Sequence, residues 1–286
     1  MSNFRYERPA SVAEATALLA AARGRAKVLA GGTDLMVALR AGVARPELVV
    51  DVKRLPGLTD ITWTRDGDLV LGACVLVQRV AEDARIRETF PALAEGAGEI
   101  GSLQIRSRAT VGGNLANASP CMDTAPPSLV LGARLKVAGP RAEREIPLPE
   151  FFRGVKQTSL APDEVVTAVF VPKPAPGLRS AFGKIKRVFG HDLALVNAAA
   201  AFDAAAGTVR VAIGSCGITP LLAPPLTGVD PSADAEAVGR RLAALALELI
   251  CPIDDVRASA EYRRDMTATL CRRLAARLLG GSRWRA

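Results

Sequence analysis

"IRSRATVGGNLANASPCMDTAPP", residues 105–127, decides how this chain reads. Two adjacent glycines, Gly112 and Gly113, are followed by Asn114; the flanking side chains are mostly Ala, Ser and Thr, with a lone Asp123 beyond. A tight turn needs only one glycine, whereas a glycine pair in small-sided surroundings lets something approach bare backbone. A similar device, "LAGGTDL" at residues 29–35, stands about eighty residues earlier. Each reads as a loop with a Gly-Gly turn beside a hydroxyl residue, leaving several backbone N–H groups free to point one way. Such nests bind anions, phosphates above all. Neither is a Walker A loop, since no Lys-Ser/Thr follows the glycines, and neither has the third glycine of the dinucleotide fingerprint. Taken alone, each reads first as an ordinary tight turn. Two nests converging from separate subdomains would suit a pyrophosphate held in a cleft.

The segments around these loops alternate between helix and strand signals. Ser11 and Glu14 have capping-box spacing, "ALLAAAR" supplies the apolar run, and Gly24 is read as its end. The strand "KVLA" runs into the first glycine pair, Asp34 is read as the cap of a short helix "LMVALRAG", and the strand "ELVVDV" completes a β–turn–α–β unit. From Ile61 strand pairs follow, "ITWT" and "DLVLGACV" about an Asp66-Gly67 turn, then helical segments at residues 77–83 and 92–102. Beyond the quoted loop come the strands "ARLKVAG", "REIPL" and "EVVTAVFVP", and the proline-rich "PKPAPG" (172–177) marks a boundary. Three more strands, "AFGKIKR", "LVNAAAAFD" and "TVRVAIGSCG", precede two helices at about 234–250 and 259–279. The expectation is an α+β protein: residues 1–177 in two subdomains, about 1–55 and 56–177, then a smaller domain at 178–286 of antiparallel sheet plus helices.

Composition narrows the function. With 286 residues, 49% hydrophobic, the chain can bury a large core. It has no apolar run of about 18 residues and no signal-peptide pattern in "MSNFRYERPA", so a soluble, cytoplasmic protein without a membrane span is expected. The net charge is +8, but the basic residues are dispersed and aromatics make up only 4%, which speaks against nucleic acid. The basic run "EYRRDMTATLCRRLAARLLGGSRWRA" is read as the solvated face of a helix. Cys74, Cys121, Cys216, Cys251 and Cys271 are scattered, with no CxxC, so neither zinc nor an iron–sulfur cluster is expected here.

The order "KVLAGGTDLMVALRAG…PELVVDVKRLPGL", "LGACVLVQRV", "GSLQIRSRATVGGNLANASPCMDTAPP" and "PEFFRG…DEVVTAVFVP" resembles the FAD-binding medium subunits of the molybdenum hydroxylases. That group includes the flavin domain of xanthine dehydrogenase and the medium subunit of aerobic carbon monoxide dehydrogenase. The resemblance covers nearly the whole chain, continuing through "AFGKIKR" and "DDVRASAEYRRDMTATLCRRL". It implies a two-subdomain FAD-binding domain of the PCMH/VAO type and a C-terminal domain like that of the carbon monoxide dehydrogenase flavoproteins.

Carried onto this sequence, the resemblance implies that both glycine loops cradle the FAD pyrophosphate: Val28, Leu29, Ala30, Gly31, Gly32, Thr33, Asp34 and Leu35 in the first, Thr110, Val111, Gly112, Gly113 and Asn114 in the second. Asp123 matches an acid that hydrogen-bonds the FAD, Ile100 a position beside the isoalloxazine, and Val166 and Lys184 further contacts, with Lys186 an alternative to Lys184. The resemblance further implies a large partner subunit with the molybdenum cofactor and a small one with two [2Fe–2S] clusters, in a dimer of heterotrimers. This chain would pass electrons from those clusters through FAD to NAD⁺, oxygen, a quinone or another acceptor. No residue is assigned as catalytic, because the flavin carries the redox chemistry. The cysteine-bearing insertion of the related benzoyl-CoA-type reductases is missing. A self-contained flavoenzyme of the same fold would need polar anchors on the C-terminal domain, where no Tyr/Ser/Glu constellation stands. His191, the one histidine, falls in "KRVFGHDLAL" beside Asp192.

Overall fold

The computed structural model describes residues 3–280; Met1, Ser2 and residues 281–286, the end of the basic run, lie outside the described residues. The chain begins with β1 (Arg5–Glu7), α1 (Val12–Ala22), β2 (Ala26–Leu29), α2 (Leu35–Arg40) and β3 (Leu48–Asp51). The strands form a parallel sheet in the order β1-β3-β2, so each strand-to-strand return runs through a helix. Ser11 Oγ accepts from the Glu14 N–H at 3.1 Å and Glu14 Oε2 accepts from the Ala10 N–H at 2.7 Å, which fixes the start of α1. Its end differs from expectation: Arg23, at φ +48, takes the left-handed cap one residue before Gly24.

The next unit comprises β4 (Ile61–Trp63), β5 (Leu69–Gly72), α3 (Val77–Glu82), α4 (Ala84–Thr89), α5 (Pro91–Gly98), α6 (Leu103–Arg106), α7 (Val111–Ala116) and α8 (Ala125–Val130). It continues through β6 (Arg134–Ala138), β7 (Glu143–Pro147), α9 (Leu148–Phe151), β8 (Phe152–Gly154), β9 (Gln157–Thr158) and β10 (Val165–Val171). An antiparallel sheet in the order β4-β5-β10-β6-β7 organises it, and β8 and β9 form a separate hairpin. Two expectations are corrected. The stretch 92–102 is no single helix, because α5 stops at Gly98 and Gly101 turns at φ +51. The quoted stretch is no continuous loop, because α7 lies within it and α8 begins in it. Thr110 caps α7 through the Gly113 N–H at 3.2 Å. Pro126 and Pro127 occupy the first turn of α8, where a missing N–H costs nothing. Glycines and prolines that read as breakers are here starters.

After the 172–177 segment come β11 (Arg179–Ile185), β12 (Val196–Asp203), β13 (Thr208–Gly214), β14 (Leu221–Leu222), α10 (Ala235–Leu249) and α11 (Ala260–Leu279). The sheet is antiparallel in chain order, and β12 is buried through its first seven residues. Its side chains alternate between two cores: Ala199 and Ala201 join the core of the middle unit, Ala198 and Ala200 the core beneath α10 and α11. Small side chains let both layers approach. The basic run is only partly a solvated face, because Arg263 of α11 is 1% exposed. Its guanidinium donates to the Leu195 carbonyl at 2.6 Å and to Asp255 Oδ1 at 2.9 Å.

Candidate functional site

The two glycine loops meet. Between the first two units lies a cleft of about 710 Å³, lined by Val28, Ala30, Gly31, Gly32, Thr33, Asp34 and Leu35 from one side. Thr110, Gly112, Gly113, Asn114 and Val166 line it from the other. The volume falls within the roughly 300–1,000 Å³ of small-molecule and cofactor clefts. Leu29 and Val111 support the loops from beneath: the Leu29 side chain lies 2.9 Å from where a Gly32 Cβ would stand, and Val111 is fully buried. The loops interlock at Gly31, where a Cβ would fall 2.1 Å from the Arg108 carbonyl oxygen. Only glycine fits there.

The amides of the two loops are used differently. Among the described residues, the N–H groups of Gly31, Gly32, Thr33 and Asp34 have no protein acceptor. In the second loop the Val111 N–H donates to Val75 O, Gly112 to Ala73 O, Gly113 to Thr110 Oγ1 and Asn114 to Thr110 O. The expectation of two open nests is therefore corrected to one. Gly112 serves close packing, since a Cβ there would lie 2.6 Å from the Ala73 Cβ and 2.8 Å from its backbone oxygen. Asp34 also departs from expectation. Its carboxylate makes no capping bond to α2; Oδ1 accepts from Asn117 Nδ2 at 3.0 Å. Lys156, in the β8–β9 turn, donates to Asn117 Oδ1 at 3.2 Å and lies 3.9 Å from Asp34 Oδ1.

Ile100, Asp123 and Lys184 form a second cluster off the cleft lining. Lys184 Nζ lies 2.7 Å from Asp123 Oδ2 and 3.0 Å from the carbonyl oxygen of Glu99, the neighbour of Ile100. Asn197 Nδ2 donates to the other carboxylate oxygen of Asp123 at 2.7 Å. Burial pushes the Asp123 carboxyl up to about 6, against Lys184 and Asn197, which favour the anion. Arg106 steadies Ile100 by donating to its carbonyl at 3.2 Å and to that of Gly101 at 3.4 Å. Thr124 Oγ1 donates to Asn114 Oδ1 at 2.5 Å, tying the residue after Asp123 to the glycine loop. Lys186 pairs with Glu99 Oε2 at 2.7 Å rather than with Asp123.

Sequence reasoning missed Asn197, Lys156 and Asn117. Asn197 had a signal, being the one polar residue inside the apolar run "LVNAAAAF". Lys156 and Asn117 had none, because only the fold brings a hairpin turn against the end of α7. His191 is exposed, and the Asp192 carboxylate beside it pairs with Arg187 at 3.2 Å.

The arrangement fits a flavin dinucleotide: unpaired amides, a backbone stripped of Cβ atoms where the loops touch, and a cleft of suitable volume. Residues 2–174 match the family described as the FAD binding domain in molybdopterin dehydrogenase, and residues 180–278 match the CO dehydrogenase flavoprotein C-terminal domain. The carbon monoxide dehydrogenase medium chain of Hydrogenophaga pseudoflava is 32% identical, over 94% of this chain and 95% of that one. The xanthine dehydrogenase FAD-binding subunit of Escherichia coli O157:H7 is 31% identical, over 94% of each. Among solved structures, the carbon monoxide dehydrogenase from Hydrogenophaga pseudoflava that lacks the Mo-pyranopterin moiety superposes with a TM-score of 0.90 at 31% identity, over 98% of each chain. Quinoline 2-oxidoreductase from Pseudomonas putida 86 gives 0.89 at 28% identity, over 99% of each. The chain belongs to the family of FAD-binding medium subunits of the xanthine dehydrogenase and carbon monoxide dehydrogenase type.

Proposed function

We propose that this chain is the electron-transfer subunit of a heteromeric molybdenum-containing hydroxylase or dehydrogenase. It takes electrons from the [2Fe–2S] clusters of a small partner subunit and passes them to an external acceptor. A large subunit holds the molybdenum cofactor and the organic or gaseous substrate, and two such heterotrimers pair. Residues 1–55 and 56–177 hold the FAD between them, and the part from residue 178 closes the flavin end. The observation that carries this reading is the row of unpaired amides at Gly31, Gly32, Thr33 and Asp34, set in a cleft against the second glycine loop. When bound, FAD supplies reversible electron uptake; the chain binds and orients it.

In this reading residues 28–35 and 110–114 and Val166 hold the dinucleotide, while Ile100, Asp123 and Lys184 set the surroundings of its ring. Relatives support the partner assignment, since those named medium chains and FAD-binding subunits are by name parts of larger enzymes. The test is purification of the tagged chain from its native host, with identification of the flavin and analysis for molybdenum and iron. The expected result is FAD rather than FMN, with two further subunits carrying the metals. Substrate hydroxylation by the purified single chain would overturn the reading.

A further inference from the structure

We propose that Lys156 is the cation that holds the pyrophosphate in this cleft, and so sets the preference for a flavin dinucleotide over flavins lacking a diphosphate. The proposal rests on the FAD reading above. A pyrophosphate brings two negative charges, and the four free amides of the first loop offer hydrogen bonds without net charge. The amides of the second loop are committed to Val75, Ala73 and Thr110. Asp34 adds a negative charge to the loop itself. A neutral cradle with an acid at its rim needs a cation.

Lys156 lines the cleft at that rim. Its ammonium is placed by Asn117 Oδ1 at 3.2 Å, and Asn117 in turn holds Asp34 at 3.0 Å, so three separate elements fix it beside the open amides. Its pair with Asp34 is long, at 3.9 Å, and both side chains are more than half exposed, so little attraction opposes a move onto phosphate. A second, independent observation is the backbone. Lys156 sits at φ +56, the left-handed region that glycine occupies without strain, and its N–H is locked to the Ala118 carbonyl at 2.9 Å. Strained non-glycine positions held by their surroundings cluster at ligand clamps. The other lysine of the lining, Lys27, lies on β2, and among the described residues its side chain makes no hydrogen bond or ion pair.

The experiment titrates the flavin-stripped full-length protein with FAD and with riboflavin, following flavin fluorescence, for wild type, Lys156→Gly, Lys156→Gln and Lys156→Arg. Lys156→Gly should relieve the left-handed strain and raise the melting temperature of the flavin-free protein, yet bind FAD about ten-fold or more weakly. Lys156→Gln should lose FAD affinity similarly, and Lys156→Arg should keep most of it. Riboflavin affinity should be the same throughout, and the salt dependence of FAD binding should flatten in the uncharged variants. If wild type binds FAD and the Gly and Gln variants bind it within two-fold as tightly, Lys156 is not the cation and the FAD reading stands. Equal losses for FAD and riboflavin would likewise overturn the proposal, by showing a general disturbance of the cleft. If wild type binds no FAD, the FAD reading fails first and the proposal with it.

Discussion

The ammonium of Lys184 lies 2.7 Å from Asp123 Oδ2, with 3% and 6% of the two side chains left exposed. A buried pair adds little net stability, because desolvation offsets the attraction, but removing one partner strands the other. Lys184→Met should therefore cost about 3–5 kcal/mol. Combining it with Asp123→Asn should recover most of that loss, since no buried charge then remains. Urea unfolding of the two single variants and the double variant checks this. Additive losses would mean that the pair is not coupled.

The same carboxyl gives a pH dependence with a definite sign. Burial holds Asp123 at about 6 in the folded chain, against roughly 3.9 when unfolded. The folded state binds this proton more tightly, so the contribution is complete below about pH 4 and is lost as pH rises through about 6. The stability of wild type minus that of Asp123→Asn should fall across this window, by at most about 1.4 kcal/mol per pH unit, and level off above it. A difference that rises with pH would show that Lys184 and Asn197 outweigh burial.

Gly31 and Gly112 should fail in different ways. In Gly31→Ala the new methyl meets the Arg108 backbone oxygen, so the first loop must lift and FAD content should drop severely. In Gly112→Ala the methyl meets Ala73 under α7, which should cost about 1–3 kcal/mol of stability through overpacking. Flavin stoichiometry and urea midpoints distinguish the two effects. A Gly31→Ala protein with full FAD content and a wild-type midpoint would refute the interlocking of the loops.

Arg263 ties α11 to the segments around it through the carbonyls of Leu195 and Ser215 and the Asp255 carboxylate, which also holds Arg257 at 2.7 Å. Arg263→Met should cost about 3–5 kcal/mol, measured by chemical denaturation, because it leaves buried acceptors unpaired. A loss under 1 kcal/mol would return Arg263 to the solvated face that its sequence suggested.

What the sequence revealed followed from local rules. Ser11 and Glu14 announce a helix start, alternation around Gly67 announces a hairpin, and apolar runs announce β10, β12 and β13; all of these are decided within a few residues. The resemblance brought both glycine loops to one ligand. Hydrogen-bond bookkeeping was out of reach, because "AGGT" and "VGG" look alike until Ala73, Val75 and Thr110 are seen to take up the second set of amides. The same holds for Asp34, whose partner lies just past the end of α7 rather than in its own helix, and for Arg263, whose burial depends on β12 and the loop at Asp255. Local pattern fixes the elements; long-range pairing assigns each polar group its task.

The alternation along β12 bears on how the molecule comes apart. Ala199 and Ala201 complete one hydrophobic core while Ala198 and Ala200, on the same strand, complete the other. Severing the chain at residues 172–177 would therefore leave each fragment with an uncovered apolar face. Arg277 adds a rivet, joining the last turn of α11 to the Phe182 carbonyl and to Glu95 on α5. The proline-rich segment is thus a seam in the primary structure and no hinge in the fold. Neither fragment has thermodynamic autonomy, and heat should melt the two in one cooperative step.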